Sequence, residues 1–201
     1  MTRKYGDPSS SRESRMRSLT PANLGGGMGK YVALLRGVNV GGHNKVGMAA
    51  LRESFADLGF TDVATYVQSG NVVFTATGRP TTLESTIERR LTTELGMDIR
   101  VAVRSAADLH RLVAGNPFVP GADPKALHVM FLIDRPSAAR LRDLPEGSNH
   151  EEVQAGRHDL YLHLPNGMGR AKLPSAVGRA IGVPTTVRNW RTVTTLAEMA
   201  G

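Results

Sequence analysis

The stretch YVALLRGVNVGGHNKV (31–46), a helical segment, and then TYVQSGNVVF (65–74) together decide the fold. Two apolar, β-branched runs each break into a cluster of Gly, Asn and polar side chains, which is how buried strands end in turns. Between them Met48, Leu51, Phe55 and Leu58 recur at helical spacing, with Gly59 as a stop. The first run predicts a strand over Tyr31 to Asn39. Val63 to Phe74 predicts two strand pieces joined through Gln68-Ser69-Gly70-Asn71, where Gly-Asn suits a tight turn.

Reading outward, Thr81 or Thr82 is the expected cap of a helix whose apolar face is Leu83, Ile87, Leu91 and Leu95, ended by Gly96. Ile99 to Val103, alternating with Arg100 and Arg104, reads as the next strand. Strand, helix, strand, strand, helix, strand is the split βαβ order. The order recurs: strand 127–133, helix 137–144, strands 153–155 and 160–164, helix 172–181, strand 185–187. A last helix is expected over 192–200, with Thr192 as its cap and Trp190 as a core anchor. The fold class expected is α+β, with two ferredoxin-like βαββαβ halves packed together. The boundaries are a disordered basic tail over 1–29, a first half over 30–114, a linker over 115–126, and a second half with the C-terminal helix over 127–201.

Composition bounds the chemistry. The 201 residues are 40% hydrophobic and 21% charged, with no cysteine, so disulfide and thiolate chemistry are excluded. No apolar run approaches the roughly 18 residues of a membrane span, and the N-terminus has no secretory core. A cytoplasmic protein without membrane association is expected. The net charge is +7. Arg3, Lys4, Arg12, Arg15 and Arg17 against Asp7 and Glu13 place +3 of it in the first 29 residues. That tail, rich in Ser, Gly and Arg, lacks the apolar residues needed to offset its ordering entropy.

The densest candidate site is Arg36-Gly37-Val38-Asn39-Val40-Gly41-Gly42-His43-Asn44-Lys45. Glycines admit a ligand close to the backbone, Arg36 and Lys45 carry charge, and Asn39, His43 and Asn44 make directional hydrogen bonds. Neither a dinucleotide nor a P-loop fingerprint is present. Gln68, Ser69 and Asn71 are expected beside it, because the first and third strands of a βαββαβ unit are neighbours. A third candidate is the turn 165–172, where Arg170 and Lys172 sit at a helix start. The helix dipole favours anions there, so a bound anion would explain two cations. No H-x-x-x-H pair or carboxylate cluster points to a metal, and no cofactor is expected. Turns rich in donors and poor in acids favour an anionic ligand.

Five segments in order, ALLRGVNVGGHNKV (33–46), TYVQSGNVVF (65–74), Asn116-Pro117-Phe118, PNGMGRAKL (165–173) and RNWRTV (188–193), resemble the bacterial domain-of-unknown-function 1697 family over about residues 30 to 201. Ala171 departs from the Ser expected in such sequences. The resemblance implies a two-part α+β fold and a cytosolic bacterial protein, and it implies no activity. The reading drawn from the residues is a phosphate-bearing ligand, nucleotide or nucleic acid, bound at the strand-to-helix turns. A small-molecule transferase using the same turns, or an interaction domain without a ligand, are the alternatives. A base-stacking RNA sheet is disfavoured by the 5% aromatic content.

Overall fold

In the computed structural model, residues 27–39 and 45–201 are described. The first half runs β1 (Met28–Leu35), α1 (Met48–Ala56), β2 (Thr61–Tyr66), β3 (Asn71–Thr77), α2 (Pro80–Leu95) and β4 (Val101–Ser105). The strands form an antiparallel sheet in the order β2-β3-β1-β4. After α3 (Ala106–Ala114) and a 3-10 turn (Pro124–Ala126), the second half runs β5 (Leu127–Leu132), α4 (Ala138–Arg142), β6 (Glu152–Ala155), β7 (Leu160–His163), α5 (Leu173–Ile181) and β8 (Thr185–Asn189). Its antiparallel sheet, β6-β7-β5-β8, repeats the first order. Two ferredoxin-like halves are therefore present, followed by α6 (Trp190–Ala200).

Strand alternation sorts the apolar residues into three cores. From β1, Tyr31, Ala33 and Leu35 face α1 and α2, where they meet Leu51, Phe55, Leu83, Ile87 and Leu91. Phe60 stacks on Phe74 at 4.8 Å, and Phe55 meets Phe74 edge-on at 5.3 Å. The other β1 face, Val32 and Leu34, joins Val129 and Phe131 of β5 in a core shared by both sheets. α3 and α6 fill that shared core with Leu109, Leu112, Val193, Leu196 and Ala197. Met130 and Leu132, on the outer face of β5, pack against Leu173, Val177 and Ile181 of α5. Each sheet is thus covered on both faces.

Several boundaries differ from those expected. β1 ends at Leu35, not Asn39, because Gly37 (φ 70) and Asn39 (φ 55) turn the chain out of extended geometry. It opens at Met28, so two residues of the expected tail lie in the strand, while residues 1–26 are outside the described ones. Helix α2 starts ahead of Thr81: Pro80 holds the first helical position, where its missing N–H costs nothing, and Arg79 precedes it without a side-chain cap. Gly96 does end α2, in the left-handed conformation. α6 begins at Trp190, and its cap is Asn189, whose side chain accepts from the Thr192 N–H at 2.8 Å. α3 was not foreseen, although Ser105 and Asp108 cap it, Ser105 Oγ accepting from the Asp108 N–H at 3.1 Å.

The β2–β3 turn rests on one glycine. Gly70 has φ +70, and a Cβ there would lie 2.8 Å from Leu35 Cβ and closer still to Val38. Only a residue without a side chain lets this turn pass under the end of β1.

Candidate functional site

The ends of β1 and β3 do converge, Leu34 pairing with Asn71. The polar groups brought together there are engaged with one another. Asn39 Nδ2 donates to the carbonyls of Val46 (3.0 Å) and Gln68 (2.8 Å), and its Oδ1 accepts from the Val46 N–H (2.9 Å). That one amide closes the 39–46 loop and ties it to the neighbouring turn. Asn71, fully buried, donates through Nδ2 to Tyr66 O (3.1 Å) and Ser69 Oγ (2.9 Å). Arg36 and Lys45 are exposed, as is the Gln68 side chain. His43 and Asn44 lie outside the described residues.

The group that holds this corner is Arg188 of β8, from the other half. Its Nε donates to Asn71 Oδ1 (2.5 Å), Nη1 to Thr186 Oγ1 (2.6 Å) and Val187 O (2.9 Å), and Nη2 to Leu35 O (2.8 Å) and Ser69 O (2.9 Å). All five N–H groups of the guanidinium are used, and every acceptor is neutral. Burial pushes its pKa down to about 10, so it stays charged at neutral pH.

Arg170 and Lys172 are exposed on the turn before α5 in the second half, whereas Arg36 and Lys45 follow β1 in the first. The start of α5 is occupied by a carboxylate of the chain itself. The buried Glu151 carboxylate accepts from the backbone N–H of Leu173 (2.8 Å) and of Lys172 (3.2 Å). A fixed carboxylate at a helix N-terminus is favoured by the unpaired N–H groups and the dipole alike.

A roomier site lies between the halves, in a cleft of about 480 Å³. The start of α2, β4, the loop after β5 and the β6–β7 turn form its walls. Its floor carries Arg104, whose side chain is 11% exposed, forked onto Asp159 through Nε–Oδ2 (2.9 Å) and Nη2–Oδ1 (2.6 Å). Asp159 Oδ1 also accepts from the Leu132 N–H at 3.0 Å. Beside this pair stands Glu84. Its Oε1 accepts from the Val103 N–H (2.8 Å), as Glu88 Oε1 accepts from that of Val101 (2.9 Å). One turn apart on α2, these two carboxyls serve N–H groups of an edge strand. Glu84 Oε2 makes no hydrogen bond among the described residues.

Around the rim stand Arg79, Arg135 and Arg157, all exposed and with no side-chain hydrogen bond or ion pair among the described residues, together with His158. The lining acids are largely committed: Asp159 to Arg104, Asp134 to Arg100 (3.0 Å) and Asp108 to Arg111 (2.6 Å). Burial raises the Glu84 pKa to about 7, against the Val103 N–H and Arg104, which lower it. Glu88 and Asp134 push it up further.

The Glu84 shift has a signed consequence for stability. The folded protein holds that proton more tightly than the unfolded chain, where the group titrates near 4.5. Its contribution is fully present below pH 4.5 and is lost as pH rises through about 7. Glu84→Gln keeps an acceptor for Val103 but cannot ionise. Its stability relative to the parent should therefore rise between pH 5 and 8, on the order of 1–3 kcal/mol. Urea unfolding at both pH values measures this, and a constant difference refutes it.

Sequence reading missed Glu84 and the three arginines because the cleft draws on four separated segments that only the packing of the halves unites. Arg157-His158-Asp159 in a tight turn was the one local signal. Among the described residues, no three His, Cys, Asp or Glu side chains are grouped to hold a metal ion. No helix among them is long and apolar enough to cross a membrane.

Comparison with known proteins adds three findings. The chain is similar to the solved structure of the conserved bacterial protein SP0830 from Streptococcus pneumoniae, with a TM-score of 0.71 and 23% identity over 87% of this chain and 100% of that one. At that identity the likeness shows the fold. No curated protein matches. The family model for a protein of unknown function, DUF1697, matches residues 28–161. With that match over most of its length and both ferredoxin-like halves in place, the chain belongs to the DUF1697 family.

Proposed function

We propose that this protein binds a phosphate-bearing small molecule in the cleft between its halves, as a cytoplasmic protein. The observation that carries the reading is the convergence of Arg79, Arg135 and Arg157, without partners, on a cleft whose acids are mostly paired already. Guanidinium groups bind phosphate oxygens through two parallel N–H donors, and each charge-assisted bond contributes roughly 1.5–3 kcal/mol. The same ligand was expected at the 36–45 and 68–71 turns. The engagement of Asn39, Ser69 and Asn71 within the protein favours the cleft instead.

The test is thermal shift with pyrophosphate, nucleotides, sugar phosphates and short oligonucleotides, on the parent and on Arg135→Ala, Arg157→Ala, Arg36→Ala and Lys45→Ala. A ligand at about 100 times its Kd stabilises the folded state by about 2.7 kcal/mol. Loss of the shift in the first two variants, and weakening with salt, supports the cleft. Loss only in Arg36→Ala and Lys45→Ala returns the site to the turns. No shift by any phosphorylated compound defeats the reading.

One observation favours an enzyme over a binding module. Glu84 presents an unbonded carboxyl oxygen to the cleft, with a pKa near the operating pH at which general acid–base catalysis is most efficient. Turnover that fails in Glu84→Gln while binding persists would decide for it.

A further inference from the structure

A second cleft, of about 550 Å³, opens where β8 passes into α6 and shares no lining residue with the first. Its apolar walls are Met168, 41% exposed on the Gly-rich 165–172 turn, and the accessible part of Trp190, which is 8% exposed and otherwise packed in the shared core. No acidic residue lines it. Lys125 and Arg191 do, both exposed and neither in a hydrogen bond or ion pair through its side chain.

His128 gives the cleft a directional group. It is 7% exposed, and its Nδ1 lies 3.3 Å from Ala126 O. A carbonyl only accepts, so Nδ1 carries the hydrogen of the neutral ring and Nε2 is a bare acceptor. Burial disfavours the charged ring, which keeps that tautomer at neutral pH. Nε2 has no partner, although the cleft reaches the residue. Asn189 adds a donor: its Oδ1 caps α6, and its Nδ2 is unengaged.

We infer that this cleft binds a planar aromatic anion, its ring against Trp190 and Met168, its charge between Lys125 and Arg191, and an N–H or O–H donated to His128 Nε2. Each part of that ligand answers one feature. An apolar wall with an indole favours a flat ring, two cations whose side chains are unpaired, in a cleft with no acidic lining residue, favour negative charge, and a lone acceptor open to the cleft selects a ligand with a donor. A non-planar anion would leave Trp190 and His128 unmatched, and a neutral ring would leave the cations unused. The inference stands independently of the cleft between the halves.

The chain has one tryptophan, so its fluorescence reports this site directly. Full-length protein is titrated with AMP, with 4-hydroxybenzoate, with adenosine as the uncharged aromatic ring, and with ribose 5-phosphate as the anion without an aromatic ring. Saturable quenching by AMP or 4-hydroxybenzoate below about 1 mM is expected, with adenosine and ribose 5-phosphate weaker by at least about tenfold. Which of the two aromatic anions quenches tells whether the charge belongs on a phosphate or a carboxylate. Lys125→Ala and Arg191→Ala, at exposed positions that do not threaten the fold, should each weaken the aromatic anion about tenfold and leave adenosine unchanged. Arg135→Ala should leave the quenching intact, which separates this cleft from the other. Absence of saturable quenching by both aromatic anions, or quenching indifferent to Lys125 and Arg191, overturns the inference.

Discussion

Arg188→Ala should destabilise the protein by roughly 3–5 kcal/mol, with the two halves losing register at the same time. The guanidinium is the shared donor for Leu35 O and Ser69 O of the first half and Thr186 Oγ1 and Val187 O of the second. Removing it strands buried acceptors in a space that water enters poorly, and each unsatisfied group costs about 1–3 kcal/mol. Arg188→Lys should recover little, because an ammonium cannot reach five acceptors fixed in a planar fork. Chemical unfolding of both variants measures the effect. A loss below about 1 kcal/mol for the alanine variant would mean that the corner relaxes and satisfies its own carbonyls.

The second large effect belongs to the floor of the cleft. Asp159→Ala removes the forked partner of a nearly buried arginine and one acceptor of the Leu132 N–H, and a loss of about 3–5 kcal/mol is expected. Glu84 is the nearest substitute, 3.6 Å from Arg104 Nη1. With Asp159 gone, the uncompensated guanidinium should pull the Glu84 pKa down from about 7 toward the ordinary carboxylate range. Carboxyl chemical shifts followed through a pH titration of the variant report this directly. A Glu84 pKa that stays near 7 would show that burial alone sets it. Replacing Arg104 and Asp159 together by apolar residues of similar volume should cost far less than the single change, since no charge is left behind.

The strand and helix order was legible because each half buries sheet faces that impose strict alternation: Tyr31, Ala33 and Leu35 to one side, Val32 and Leu34 to the other. Boundaries were less legible where one backbone angle decides. Asn39 has the composition of a strand end, but its positive φ and its side-chain bonds to residues 46 and 68 make it a loop staple. Helix α3 was overlooked because its apolar residues Leu109 and Leu112 follow a strand with no glycine or proline between them. The carboxylate at the start of α5 was not legible at all: Glu151 lies 21 residues before Lys172, and no local pattern links them. The arginines of the cleft read as ordinary surface charge. Their meaning depends on which acids are already paired, and only the assembled fold shows that.

α6 touches strands of both sheets, and Val193, Leu196 and Ala197 fill the space between them. It is also the last of the described elements to leave the ribosome. Until it emerges, Val32 and Leu34 on one sheet and Val129 and Phe131 on the other lack that cover, even with every strand already synthesised. The seam between the sheets therefore lacks this helix even after the last strand is made, and its packing is complete only once synthesis has passed Ala200.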